Sequence, residues 1–164
     1  MKDRTVVWCL RQKRGIRIIQ PNENLTKAYL RKAISALNTM NAALEIRETD
    51  WITTTAYYAR YFALYALLMK LGIKSEIHDC SIALARLLME QGILKKGLAS
   101  DISSSKQSRI DIQYYVVREL DQASIRKDAE NARGFVLELE RVIESMTADR
   151  IEKVRAHMKA LKEH

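Results

Sequence analysis

The chain has 164 residues, a length that fits one domain, and 48% of them are hydrophobic, enough for a core that needs no covalent staples. Five glycines and one proline are too few for the many turns of an all-β protein, so the composition points to long helices. The uncharged run Tyr61 to Met69 falls far short of the roughly 20 apolar residues of a membrane span, so no span is expected.

Residues 1–21 form a basic arm. Lys2, Arg4, Arg11, Lys13, Arg14 and Arg17 stand against Asp3 alone in residues 1–20, six charges against one, a net +5 within an overall +8. Such a segment reads either as a contact surface for RNA, nucleotide phosphates or an acidic partner, or as a solvated tail. The apolar run Val6 to Leu10 behind a charged start is too short for a signal peptide. Thr5 to Gln12 fits a short helix or a strand; Gly15 breaks it, and Ile16-Arg17-Ile18-Ile19 alternates like an extended piece before Pro21. Cys9 and Cys80 lie far apart without metal-ligand spacing, so reduced thiols in a cytoplasmic protein are the expectation.

Six helices are predicted after the arm, near 24–48, 50–71, 75–91, 105–120, 124–146 and 147–162. In the first, Leu30, Ala33, Leu37, Met40 and Leu44 recur every three or four residues behind an Asn24 cap. The second, from an Asp50 cap to a Gly72 stop, is apolar nearly all round, so it belongs at the centre of a bundle with part of its surface closed by a second chain. The third carries Ile77, Ser81, Leu84, Leu87 and Leu88 and ends at Gly92. Residues 93–104 read as the longest loop. The fifth, behind Ser124, repeats Ile125, Ala129, Ala132, Val136, Leu139, Ile143 and Met146, with Gly134 marking a close helix contact. Thr147 caps the last, amphipathic helix.

Three segments carry a family likeness. Thr54-Thr55-Ala56-Tyr57-Tyr58-Ala59 runs on to Ala63-Leu64-Tyr65-Ala66-Leu67-Leu68; Gly72-Ile73-Lys74-Ser75-Glu76-Ile77-His78 forms a turn before a helix; Arg109-Ile110-Asp111-Ile112-Gln113-Tyr114-Tyr115 closes the set. In order and spacing they resemble the HEPN family (higher-eukaryote and prokaryote nucleotide-binding domain), over roughly residues 22–146. The resemblance implies an all-α antiparallel bundle of four to five helices, here with a short extended N-terminal arm (1–21) and an additional C-terminal helix (147–164). It further implies a homodimer, often paired with a minimal nucleotidyltransferase in a toxin–antitoxin-like system, and no cofactor. Many such proteins are metal-independent endoribonucleases that use an Arg and a His separated by four to six intervening residues. Arg109 matches the first; tyrosines occupy 114 and 115, and no His follows before His157.

The candidate site follows from residue chemistry. Arg109 and Gln113 are four apart and share a helix face, with Tyr114 beside them and Lys106 one turn earlier. Arg clamps a phosphate with two N–H groups, Gln reads a base edge and Tyr stacks on a base. The competing reading buries Arg109 in an ion pair with Asp111 or another nearby carboxylate and packs the tyrosine in the bundle. His78 serves either as a proton carrier or phosphate donor, or as a hydrogen-bonded structural residue in a helix's first turn. Tyr57, Tyr58, Tyr61 and Tyr65 line either a nucleotide cleft or a core or interface. Two functions result: a module binding nucleotide, RNA or a partner through Lys106, Arg109, Gln113, Tyr114, Tyr58 and His78, or an endoribonuclease using Arg109 with Tyr114 or His78. A tyrosine, with a pKa of about 10, donates a proton at neutral pH but is a poor base. No metal-ligand cluster and no glycine-rich phosphate loop is seen.

Overall fold

A computed structural model describes residues 4–115 and 120–163. Its elements are α1 (Arg4–Arg11), β1 (Ile16–Ile18), α2 (Glu23–Glu45), α3 (Thr49–Leu71), β2 (Ile73–Ser75), α4 (His78–Glu90), α5 (Leu98–Tyr114), α6 (Gln122–Ser145) and α7 (Ala148–Glu163). The fold is an all-α bundle; β1 and β2 make a single antiparallel pair, with Ile16 opposite Ser75 and Ile18 opposite Ile73. No described helix is long and apolar enough to cross a membrane.

The bundle is built around α3. Its sequence has no polar stripe, and 16 of its residues are buried. Water must therefore be excluded from every side of it, and α2, α5 and α6 do so. Along α2 the buried positions are Thr26, Ala33, Ala36, Met40 and Ala43; the alanines let its backbone lie close to α3. The spacing read for α6 holds throughout, from Ile125 to Met146. One chain thus absorbs most of the apolar surplus of α3. Large apolar side chains left outside include Trp8 on α1, 52% exposed, and Trp51 at the start of α3, 60% exposed.

A buried cation pins three helices. Arg60 on α3 has no exposed surface, yet its guanidinium is fully engaged. Nε and Nη2 donate to the two carboxylate oxygens of Asp101 on α5 at 3.0 and 3.1 Å; Nη2 also reaches Asp128 Oδ1 on α6 at 2.7 Å. Nη1 donates to Ser105 Oγ and the Ala56 carbonyl. The planar fork suits this shared duty in a way an ammonium would not.

Gly72 ends α3 as expected, at φ 70°. Only glycine fits there for a second reason: a Cβ would stand 2.6 Å from the Ile19 carbonyl oxygen and 2.2 Å from Arg155 Nη1. Arg155, on α7, donates from that nitrogen to the carbonyls of Ile19, Leu71 and Gly72 at 2.6, 3.2 and 3.1 Å. The last carbonyls of α3 are thereby satisfied by a side chain from the far end of the sequence.

Several expectations are corrected. The stretch 93–104 is not a loop throughout, because α5 begins at Leu98. Its serines disguise a buried row of Ala99, Ile102, Ser105 and Ile112. Of the helix predicted over 105–120, residues 116–119 lie outside the described residues, as do Lys2 and Asp3 of the arm. The third predicted helix starts at His78, since Ile73–Ser75 pairs as β2. The caps shift: Asn22, not Asn24, accepts the Leu25 N–H, and Asp121 accepts from Ser124, whereas Asp50 lies inside the first turn of α3. Thr147 does accept the Arg150 N–H. Gly134 marks no close contact, since a Cβ there would meet nothing within 4 Å. The arm is helical before it is extended, and Val6 and Cys9 anchor α1 in the core. The largest correction concerns the thiols. Cys9 and Cys80 form a disulfide despite a sequence separation of 71. The arm folds back on α4 and brings their Cα atoms to 5.7 Å, inside the bridging range.

Candidate phosphate-binding site

Three helices converge on one cluster. The chain leaves α3 at Gly72, makes three residues of β2 and enters α4 at His78, which turns the imidazole back onto α3. The His78 ring stacks on Tyr61 with centroids 4.1 Å apart and planes 11° from parallel. Its Nδ1 lies 2.5 Å from the Tyr57 hydroxyl.

Arg109 enters from α5. Its guanidinium carbon sits 5.0 Å from the Tyr57 ring centre and 5.6 Å from that of Tyr58. Nη1 donates to Gln113 Oε1 at 3.2 Å and reaches the Tyr58 hydroxyl at 3.5 Å, while Nε is buried with no hydrogen-bond partner. No described carboxylate lies within ion-pair distance of it. Asp111 accepts from Gln107 Nε2 at 2.7 Å. Lys106, one turn earlier, reaches Asp79 at 2.5 Å, so its charge is shared. The contrast with Arg60 is chemical. Arg60 has spent its donors on carboxylates, whereas Arg109 rests on ring faces and two neutral oxygens.

The electrostatics follow from this crowding. Burial raises the Tyr57 phenol far above its usual range, the neighbouring Tyr61 adding to it. Burial also lowers the His78 pKa, and the positive charges of Arg109 and Lys106 lower it further, with Asp79 opposing. At neutral pH both groups are uncharged. Among the described residues the Tyr57 hydroxyl has no acceptor other than His78 Nδ1. It therefore donates there, and the ring proton resides on Nε2. His78 is a hydrogen-bond donor at Nε2 rather than a free base. Nitrogen-15 spectra of the ring are expected to show the Nε2–H tautomer. Tyr57→Phe is expected to raise the His78 pKa, because the phenol stabilises only the neutral ring at Nδ1; an unmoved titration would contradict the assignment.

Of the residues named from the sequence, Lys106, Arg109, Gln113, Tyr58 and His78 come together. Tyr114 does not. It is 73% exposed at the last position of α5. Five residues after Arg109 amounts to roughly 140° round the helix, so the two side chains diverge. Tyr57 had been read only as one rung of a tyrosine ladder, yet it contacts both His78 and Arg109. Nothing in the sequence distinguishes it from Tyr61; the Gly72 turn does. Among the described residues no group of three or more His, Cys, Asp or Glu is placed to hold a metal ion.

A helical bundle with a cationic, aromatic-walled cluster on its central helix defines the class. Residues 26–150 match the HEPN domain, most of the chain from α2 to the start of α7, and the protein belongs to that family. It is thus a helical domain of a nucleotide- and RNA-related class, as the three segments read from the sequence implied. No curated protein matches the chain.

Proposed function

We propose that the cluster between α3, α4 and α5 binds phosphate groups of a nucleotide or RNA. The observation that carries this is Arg109, a fixed cation with one buried N–H unsatisfied and no described carboxylate to neutralise it. A phosphate would accept from the guanidinium and from His78 Nε2–H, and the Tyr58 ring offers a face to a base. Next to it, Tyr58 and Phe62 lie 5.7 Å apart in a shallow groove of about 350 Å³, with Lys32 Nζ 5.3 Å from the Phe62 ring centre. The strip from Arg109 to Lys32 suits a short single strand, with a cation at each end. The same face is proposed to serve pairing with a nucleotidyltransferase in a toxin–antitoxin-like system. A homodimer is proposed to form through the outward apolar side chains Ile46, Trp51, Tyr114 and Tyr115.

The rival reading is an endoribonuclease in which Arg109 stabilises the transition state and His78 takes the 2′-hydroxyl proton. Proximity of the two residues supports it, but the proton on Nε2 favours binding. A labelled oligouridylate separates the two. Arg109→Ala is expected to weaken its binding by roughly tenfold or more at low salt, with the difference from wild type shrinking as salt rises and the melting temperature little changed. Unchanged binding would remove Arg109 from the site, and cleavage of the oligonucleotide lost in both Arg109→Ala and His78→Ala would favour the nuclease.

A further inference from the structure

The segment that delivers His78 to the site is held from outside by the arm, through contacts made by residues 4–18. These residues lie beyond the part of the chain that matches the family. Three ties converge on residues 73–80. The β1–β2 pair fixes Ile73 to Ser75, and the Glu76 N–H donates to the Arg14 carbonyl at 3.2 Å. Arg14 Nε and Arg17 Nη2 each reach a Glu76 carboxylate oxygen at 2.9 Å. Cys9 is bonded to Cys80, two residues beyond His78, and both cysteines are fully buried. The charge once read as a contact surface for RNA is thus partly engaged within the protein. Gly15 permits the fold-back: a Cβ there would lie 1.9 Å from the Cys9 carbonyl oxygen.

The ties are unequal. Side-chain ion pairs on the surface contribute little. A three-residue strand pair is marginal on its own, and an eight-residue helix does not hold its shape without packing. The covalent link is the one tie that local fluctuation cannot release. We propose that the arm is a redox-dependent brace that positions His78: with the disulfide formed, the 73–80 turn is held and His78 stays against Tyr57 and Tyr61; with it reduced, the arm and the turn loosen together. The reductant is a small-molecule dithiol. Its thiolate attacks one sulfur during a local opening of α1, and its second thiol resolves the mixed disulfide. Two electrons and two protons leave two cysteine thiols and a cyclic disulfide product.

The experiment compares oxidised protein, protein treated with dithiothreitol, and the Cys9→Ala/Cys80→Ala variant. Thiol titration of the oxidised, denatured protein should find no free thiol. Hydrogen exchange should then show amides of 73–80 exchanging about tenfold faster or more in the reduced protein, while α6 is unchanged. The variant should match the reduced protein and ignore dithiothreitol. Two free thiols in air-oxidised protein, or equal exchange at 73–80 in both states, would overturn the brace, as would a uniform change across the bundle. The consequence for the site rests on the phosphate reading and has its own readout: oligouridylate affinity should fall severalfold on reduction. Exchange that responds while the oligonucleotide binds in neither state would leave the brace standing and remove the phosphate reading.

Discussion

Arg60→Met is expected to destabilise the fold by about 3 kcal/mol, lowering the melting temperature by roughly 6–12 °C. The substitution keeps the stem and removes the fork. Asp101 and Asp128 then lose the charge they face, and the Ser105 and Ala56 oxygens lose a donor. Because the carboxylates retain some exposure, about 30% of each side chain, the cost stays near the lower end for a broken buried pair. Most of it should come from stranded carboxylates rather than lost attraction. Adding Asp101→Asn and Asp128→Asn to Arg60→Met is therefore expected to recover part of the stability, and a chemical denaturation series measures this. If the triple variant is less stable than Arg60→Met alone, the three residues do not act as one unit.

Gly72→Ala should cost about as much, by a different route. Any residue but glycine pays roughly 1 kcal/mol for the left-handed backbone. Here the methyl group must also displace the Ile19 carbonyl or Pro21 nitrogen, and it meets the Arg155 nitrogen that holds α7 down. The total expected is about 3 kcal/mol, with early proteolytic release of α7. Gly92 supplies the control. It has the same φ of 70°, but nothing lies within 4 Å of its Cβ position. Gly92→Ala should therefore show the backbone cost alone. Equal destabilisation by the two would mean that the junction of Ile19, Gly72 and Arg155 yields freely.

The helices were legible wherever one face stays apolar over several turns. Ile125 to Met146 could be read residue by residue because every third or fourth side chain is apolar and most of the intervening ones are charged. The first turns of α5, residues 98–104, resisted because their buried positions are only Ala99 and Ile102, set among serines, and because Asp101 there faces Arg60, a buried partner that is ionic. For the site, Arg109, Gln113 and Lys106 followed from helix spacing. Tyr114 was misplaced because adjacency in sequence was taken for adjacency on a face. The pairing of His78 with Tyr57, and of Cys9 with Cys80, depends on how the Gly72 turn and the arm fold back. Such contacts between distant residues leave no periodic trace in a sequence.

The positions of the two tryptophans have an optical consequence. Trp8 sits on the arm beside Cys9, and Trp51 at the opposite end of α3 from the Gly72 turn. In the single chain both tryptophans are more than half exposed, and neither belongs to the His78–Arg109 cluster. Tryptophan emission from this protein therefore reports the arm and the α2–α3 turn rather than the interior of the bundle. In a Trp51→Phe background the only fluorophore of that kind left lies next to the disulfide-forming cysteine, so its intensity and wavelength become a direct, label-free readout of whether the arm is docked.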